Sequence, residues 1–463
     1  MLRALLVIVL LTPPVWSKSR PKPASLALLE KQLADKDVKK RTQALMQLVN
    51  HPSRAKIRLL IRATTDSSHR VRALAVLGLG ISGDPRALGA LHTALDDKDD
   101  SVATTALNSL ARFSSPKSVP VLAKLLRSVG TRPKRISEYL TRMTLMLLGR
   151  IGTPETKPLL VRYLRKDSPF RQAAARSLAR IGDKRAIPHL LAIFVQAKAE
   201  HPEIALDLAH LGATQAGQAI AERMKRVLDS KKLGRTQIRA LGQYMRALAT
   251  LRNARALPLI EQTLRLDNRT LRVVGIYSLA DLSDPRAIRL VRPFLRSGDA
   301  MLRTAAASTL GTLGSRADAA ALIRLLRDTD LTVRGTALVA LGDLGSATLY
   351  PTIVPFLKSD QSILRFCAAY AAIRLGHADL GYALLDKGTR STDNVKRAQS
   401  LSIASKLKNR RTIAMLIRAL TDRENSIRAL ALRLLQRISG TRLGPNPSGW
   451  NRWWSANRSR YPG

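Results

Sequence analysis

A single motif recurs along nearly the whole chain at an interval of about 31 residues, and this periodicity limits the possible folds more than any other feature. Each copy centres on an apolar residue, usually leucine, that is often followed by glycine. The intervals between the 13 centres are 31, 31, 38, 30, 33 and 37 residues, then five of 31, and then 32. The central residues are Leu48, Leu79, Leu110, Leu148, Leu178, Leu211, Leu248, Leu279, Leu310, Leu341, Ala372, Ile403 and Leu435.

Each copy is predicted to form two helices. The first opens with a segment such as Asp284-Pro285-Arg286-Ala287, in which Asp caps the helix and Pro occupies the first helical position, where its missing N–H costs nothing. Small residues such as Ala306 and Ala337 would allow the two helices to approach closely. The segment 342–345, Gly-Asp-Leu-Gly, is predicted to end the second helix, with glycine supplying the positive φ of a C-cap.

One such hairpin cannot bury its apolar face alone, but stacked hairpins form a continuous core. Leucine and alanine dominate and aromatic residues make up only 4% of the chain, which also favours helices. We therefore predict an all-α fold, a right-handed α-solenoid (superhelix) of about 13 helix hairpins over residues 18–440. Residues 441–463 would form a Trp-containing cap, with Trp450 and Trp453 on one helical face. The alternative is that these rings are exposed and stack on a ligand.

The repeat resembles the bacterial HEAT-like family, in its short form near 31 residues that also occurs in phycobilin-lyase-type proteins. The resemblance covers roughly residues 25–440 and is carried by Asp-Pro-Arg-Ala, the turn Asp, the Val333-Arg334 start and the Leu341-Gly342 end. The tail at 444–454 is similar to one found after bacterial HEAT-like arrays, although Asn446 replaces its acidic residue. Some family members are enzymes, namely the phycobilin lyases and a DNA glycosylase family, but no constellation here carries over either activity.

A basic residue follows the start of the second helix in nine of the 13 copies. These residues are Arg41, Arg72, Arg171, Arg272, Arg303, Arg334, Arg365, Lys396 and Arg428. Aspartates accompany them in the preceding turns: Asp267, Asp299, Asp330 and Asp360. We expect a structural ladder of Arg–Asp contacts that aligns one repeat on the next, because the arginine recurs wherever the motif does. The alternative is a stripe that contacts a ligand. Ser359 is predicted to be a solvated loop residue.

The charge is strongly unbalanced, since 78 Lys and Arg face 33 Asp and Glu, for a net charge of +45. Such an excess attracts polyanions, although a compositional bias with a solvated surface would give the same balance. Basic insertions at residues 127–139 and 229–239 account for the two longest intervals and are predicted to separate units 3/4 and 6/7. Insertions at equivalent positions project from one edge of a solenoid. The candidate anion- or partner-binding residues are Arg132, Lys134, Arg135, Lys231, Lys232 and Arg235.

No motif for catalysis, a cofactor or a metal is present in the sequence. HExxH, zinc-ligand spacing and the Gly-x-Ser-x-Gly elbow are absent, and the seven histidines are scattered. The one cysteine, Cys367, lies in an apolar helical run and is predicted to be buried. We therefore expect a protein that is not an enzyme and has no cofactor.

Residues 1–17 have the features of a cleaved secretory signal peptide: Arg3, an apolar run over 4–11, two prolines, and small residues up to Ser17. The run is far shorter than the ~20 residues that span a bilayer. An organellar transit peptide or a disordered start is the alternative. The segment predicts a periplasmic or secreted protein. We expect a protein–protein interaction scaffold of the cell envelope with an acidic partner; the alternative is an electrostatic binder of an extended polyanion such as nucleic acid, an acidic envelope polymer or anionic lipid. The oligomeric state stays open.

Overall fold

The computed structural model describes residues 24–51, 53–197, 199–230, 233–441 and 443–462. These residues form 27 α-helices joined by short 3-10 turns and loops, and no β-strand occurs among them. The predicted all-α solenoid is therefore confirmed, while its right-handed twist stays a prediction. The signal segment at residues 1–17 lies outside the described residues.

The helices divide into 13 hairpins, in which an odd-numbered helix is followed by an even-numbered one, and a final helix α27. Two compact units, residues 1–220 and 221–463, share them, and the boundary falls inside α13. The helices before the boundary are α1 (Leu26–Leu33), α2 (Val38–Asn50), α3 (Lys56–Ala63), α4 (His69–Ser82), α5 (Leu88–Ala94), α6 (Asp100–Phe113), α7 (Val119–Ser128), α8 (Lys134–Ile151), α9 (Thr156–Val161), α10 (Arg171–Ile181), α11 (Ala186–Gln196) and α12 (Pro202–His210).

From the boundary onward the helices are α13 (Gly217–Leu228), α14 (Arg235–Thr250), α15 (Ala256–Arg265), α16 (Arg269–Leu282), α17 (Ile288–Val291), α18 (Ala300–Leu313), α19 (Ala319–Leu325), α20 (Leu331–Leu344), α21 (Tyr350–Leu357), α22 (Ser362–Arg374), α23 (Ala378–Thr389), α24 (Asn394–Ala404), α25 (Arg410–Ala419), α26 (Asn425–Ser439) and α27 (Pro447–Asn457). None of the described helices is long and apolar enough to span a bilayer.

Within each unit, the second helices of successive hairpins pack against one another in chain order, from α2 to α12 and from α14 to α26. The first helices pack against this row, and the core lies between the two layers. The central leucines of the repeat, such as Leu79 and Leu310, are fully buried, as are Ala306 and Ala337. The periodic motif is therefore the sequence of this core.

Local capping follows the sequence prediction. Asp284 accepts a hydrogen bond from Arg286 N at 2.9 Å, with Pro285 in the first position of the turn that opens the first helix. Asp330 caps α20 by accepting from Thr332 N at 2.7 Å. The helix ends at Gly345, whose φ of +68° is the left-handed C-cap conformation.

The other glycine of that segment has a different role from the one predicted. Gly342 lies inside α20, where a Cβ would come 2.7 Å from the Cα of Ala371 on the neighbouring second helix. Gly311 stands in the same relation to Ala340 one hairpin earlier. These glycines therefore set the distance between adjacent second helices and do not end the helix.

The first insertion is helical and does not form a loop. Residues 127–139 contribute the end of α7, a 3-10 turn at Val129–Thr131 and the first turn of α8. Both insertions lie inside a hairpin, the fourth and the seventh, and do not separate units 3/4 and 6/7 as predicted.

The tail closes the last hairpin. Trp450 is fully buried, and its indole Nε1 donates to the Gly444 carbonyl at 2.9 Å. Trp453 packs edge-on against it with ring centroids 5.5 Å apart. Further along the tail, the carbonyl of Pro462 accepts a hydrogen bond from Arg410 N at 2.9 Å. The prediction of a hydrophobic cap is confirmed.

Candidate functional site

The predicted ladder of arginine and aspartate is present, and its geometry is specific. Arg72 on α4 binds both carboxylate oxygens of Asp97, from Nε at 2.7 Å and from Nη2 at 2.8 Å. Its third nitrogen, Nη1, donates to the backbone carbonyls of Asp66 and Ser67 at 3.0 and 3.2 Å. One guanidinium therefore ties the turn of its own hairpin to the turn of the next. The same paired rung occurs at Arg41–Asp66, Arg72–Asp97, Arg303–Asp328 and Arg397–Asp422.

The acids of the paired rungs are not the ones expected from the sequence. Each belongs to the turn after the arginine, 25 residues further along the chain. Asp299 and Asp330 instead cap their own helices. Of the predicted acids, Asp267 contacts a predicted arginine, Arg272, at 3.3 Å.

The arginine keeps each rung aspartate ionised. Hydrogen bonding from Arg303 holds the pKa of Asp328 below its usual value. For Asp97, burial pushes the pKa upward, but hydrogen bonds from Arg72 and the backbone outweigh it, so the pKa is again lowered. The rung arginines are themselves mostly buried, with Arg303 at 14% and Arg397 at 4% side-chain exposure. These residues are thus committed to the fold, as the structural interpretation predicts.

Other predicted ladder residues make weaker contacts. Arg171 donates from Nε to His189 Nδ1 at 3.3 Å, and Arg428 donates from Nη1 to the carbonyl of Asp422 at 2.5 Å. Lys396 is not a ladder residue: its neighbour Arg397 occupies the rung, because the interval that precedes it is one residue longer than the index assumes. Arg334 and Arg365 have no carboxylate partner within the described chain and are treated below.

Arg132, predicted to bind an anion, is a structural residue. Its Nη1 forms an ion pair with Asp100 at 2.5 Å, and its Nη2 donates to the carbonyl of Asp97 at 2.8 Å. That carbonyl belongs to the turn of the third hairpin, whose ladder position holds Ala103. Arg132 therefore replaces the missing arginine from the following hairpin.

The remaining basic candidates are placed differently. Lys134 and Arg135 are exposed in the first turn of α8, and Arg235 is exposed at the start of α14. Lys231 and Lys232 lie outside the described residues. Because the insertions fall in different units, the predicted shared edge stays a prediction.

A feature that the sequence analysis missed is an exposed apolar stripe in the first unit. Met46, Leu77 and Met146 each lie two residues before the central leucine of their repeat, on α2, α4 and α8. Their exposures are 54%, 42% and 42%. Asn108 holds the same position on α6 and accepts a hydrogen bond from Tyr139 Oη of α8 at 3.0 Å. Their common position in the repeat, read against burial, was the signal that could have found them.

Groups suited to catalysis or metal binding do not assemble in the described part of the chain. No three His, Cys, Asp or Glu residues there are placed to hold a metal ion. Cys367 is buried, as predicted, and burial raises the pKa of its thiol to about 12, so it is an unreactive core residue.

Comparison with known proteins identifies the repeat. Residues 26–107, 134–201 and 256–342, just over half of the chain, match the family of HEAT repeats. A search of the curated proteins finds no match. Importin beta aligns over 90% of this chain and 74% of its own at 11% identity with a TM-score of 0.54, which shows a common fold alone. The complex of CpcE and CpcF of phycocyanin lyase from Nostoc sp. PCC7120 aligns over 54% of this chain and 97% of its own, at 21% identity and a TM-score of 0.33.

Proposed function

Because the chain belongs to the HEAT-repeat family, we propose that it is a non-enzymatic scaffold that binds a protein partner on the second helices of the first unit. The observation that carries the proposal is the apolar stripe of Met46, Leu77 and Met146 on successive second helices. Large exposed apolar side chains that recur at one position of a repeat mark an interaction surface, whereas single ones are ordinary.

The partner proposed is an acidic segment that also carries apolar side chains. The apolar side chains would cover the stripe, and the acids would meet the positive field of a chain with a net charge of +45. Charged pairs at such a rim speed association and orient the partner, while the apolar contacts supply most of the affinity.

We further propose that the scaffold acts in the cell envelope, as a periplasmic or secreted protein. The support is the sequence of residues 1–17, with its basic start, short apolar run and small residues before Ser17. Expression of the full chain in a bacterium, followed by fractionation and sequencing of the amino terminus, tests this. Recovery of the uncleaved chain in the cytoplasm would contradict it.

The second candidate function is binding of an extended polyanion. It is favoured by the exposed Lys134, Arg135 and Arg235, for which the described structure prints no acidic partner. Arg132 adds nothing to such a site because it is paired within the fold. Binding of DNA or anionic vesicles would weaken steeply with salt, since each neutralised phosphate releases counterions. Neutralising Lys134, Arg135, Lys231, Lys232 and Arg235 together would then reduce both affinity and salt dependence.

The scaffold is tested by partner capture from envelope extract at two salt concentrations. The wild-type chain is compared with Met46→Ser/Leu77→Ser/Met146→Ser and with a matched control, Leu28→Ser/Val195→Ser/Val354→Ser, whose exposed apolar residues lie on first helices. We expect a discrete protein that the control retains and the stripe variant loses at least fivefold. Equal retention by both variants would refute the stripe, and capture of nucleic acid alone would favour the second candidate.

A further inference from the structure

Two consecutive rungs of the arginine ladder in the second unit lack their acid. The position that holds Asp328 in the tenth hairpin holds Ser359 in the eleventh and Ser391 in the twelfth. Each serine keeps the bond that Asp328 makes within its own turn: Ser359 Oγ accepts from Gln361 N and Ser391 Oγ from Asp393 N, both at 3.2 Å. The charge and the second oxygen, which bind the arginine of the preceding hairpin, are missing.

The arginines that face these serines remain in place. Arg334 on α20 has a buried Nε without a hydrogen-bond partner in the part of the chain that the structure describes. Arg365 on α22 donates from Nη1 to the carbonyl of Ser359 at 2.6 Å, which is the contact to its own turn. Both side chains are partly exposed, as are both serines. A guanidinium whose donors are withdrawn from water and left unpaired is unfavourable, so a ligand that supplies acceptors gains by binding there.

The vacant half of each rung has the shape of a carboxylate. In the intact rung before it, the oxygens of Asp328 lie 2.7 and 2.8 Å from Nε and Nη2 of Arg303. A carboxylate from another molecule could make the same two bonds with Arg334 or Arg365, because serine leaves its place open. Such paired bonds between a guanidinium and a carboxylate are among the stronger hydrogen bonds in proteins.

The spacing of the two rungs selects the ligand further. α20 and α22 are neighbouring packed helices, whose axes lie about 8–10 Å apart. An extended chain advances about 3.3 Å per residue, so side chains three residues apart are about 10 Å apart. We propose that Arg334 and Arg365 form a two-point site for an extended acidic protein segment whose carboxylates are three residues apart.

The charges around the site are mixed but leave it cationic. Asp360 lies in the first of the two turns and is exposed, yet it forms no ion pair with either arginine among the described residues. Lys358 is exposed beside Ser359, and Arg390 beside Ser391 is engaged with Asp386 at 2.9 Å. The two rung arginines are thus the guanidiniums available to a carboxylate.

The decisive variant restores the missing acids from within the chain. Ser359→Asp/Ser391→Asp would complete both rungs, so we expect the melting temperature to rise by about 2 °C for each. The control Ser283→Asp/Ser455→Asp adds the same charge at exposed positions and should leave melting unchanged. The probe is a fluorescent peptide of Ser and Gly with Asp at every third position, compared in anisotropy titrations with peptides that carry Asn or phosphoserine at those positions.

The full-length wild type and the control should bind the Asp peptide at least tenfold more tightly than the Asn peptide, and the rung variant should lose this preference. Arg334→Gln/Arg365→Gln should lose it as well. Equal binding of the Asp and Asn peptides, or an undiminished preference in the rung variant, would overturn the proposal. Tenfold tighter binding of the phosphoserine peptide would overturn the choice of carboxylate. This site rests on the proposed scaffold function but fails separately: partner capture lost in the stripe variant with peptide results negative would reject only the site.

Discussion

Arg303 binds Asp328 with two of its nitrogens, Nε at 2.7 Å and Nη2 at 2.8 Å, while its third nitrogen holds the carbonyls of Ser297 and Gly298. The arginine therefore joins the turn before its own helix to the turn of the next hairpin. No backbone hydrogen bond could do this, because helices satisfy their backbone groups internally. The side chain is what fixes one hairpin relative to its neighbour.

Removal of the acid from this rung should destabilise the fold. We expect Asp328→Ser to lower the free energy of unfolding by about 2–3 kcal/mol, because it leaves a mostly buried guanidinium unpaired. Arg286→Ala, which removes an ion pair that is 68% exposed on the arginine side, should cost less than about 0.5 kcal/mol. Urea denaturation followed by circular dichroism measures both. Similar midpoints for the two variants would contradict the role assigned to the rung.

The rungs should also make stability depend on acid pH. Hydrogen bonding from Arg303 lowers the pKa of Asp328 in the folded chain, so its contribution is complete above the unfolded pKa of about 3.9. It is lost as the pH falls through the lower folded pKa. We expect the melting temperatures of wild type and Asp328→Asn to differ at pH 6 and to converge below pH 3. A constant difference from pH 6 to pH 2 would show that ionisation of Asp328 is not involved.

The close approach of second helices should make Gly342 intolerant of a side chain. Because an added Cβ would lie 2.7 Å from the backbone of Ala371, we expect Gly342→Val to cost about 1–3 kcal/mol. Gly89 lies in α5 with nothing within 4 Å of an added Cβ, so Gly89→Ala should be neutral or stabilising by up to about 1 kcal/mol. Calorimetry of the two variants checks the contrast, and equal effects would mean that α20 and α22 can separate freely.

The buried indole of the tail should contribute strongly to the end of the second unit. We expect Trp450→Ala to cost about 3–5 kcal/mol, as for other fully buried aromatic side chains, and to increase amide exchange in α25. The partly exposed Trp454 is the matched control, and Trp454→Ala should cost less than half as much. Unchanged exchange in α25 after loss of Trp450 would show that the tail does not close the hairpin.

The repeat interval predicts the hairpins because burial repeats with the same period as the motif. It does not predict partners, since the turn of the tenth hairpin carries both Asp328 and Asp330, and only their side-chain directions tell the rung from the cap. The interval of 32 residues after Ile403 likewise hides a shift of one residue, which moves the rung from Lys396 to Arg397.

Two other differences arise from neighbours that a single repeat does not contain. Arg132 is a structural residue because Ala103, one hairpin earlier, lacks a guanidinium. Ser359 is not a solvated loop residue but is partly buried, because it occupies the rung position that faces Arg334. Both require knowledge of which side chains face one another across hairpins, and spacing along the chain gives only the hairpins themselves.

The serines at 359 and 391 also affect how the second unit comes apart. In a linear array each hairpin is coupled only to its neighbours, so the free energy of the whole is close to a sum over contacts between adjacent hairpins. Junctions without a carboxylate contribute less to that sum than the junction closed by Asp328. Partial unfolding should therefore begin between α20 and α24, and hydrogen exchange there should be faster than across α18 and α20. A segment bound to Arg334 and Arg365 would bridge the two least cooperative junctions, so that binding and mechanical continuity of the array would be linked.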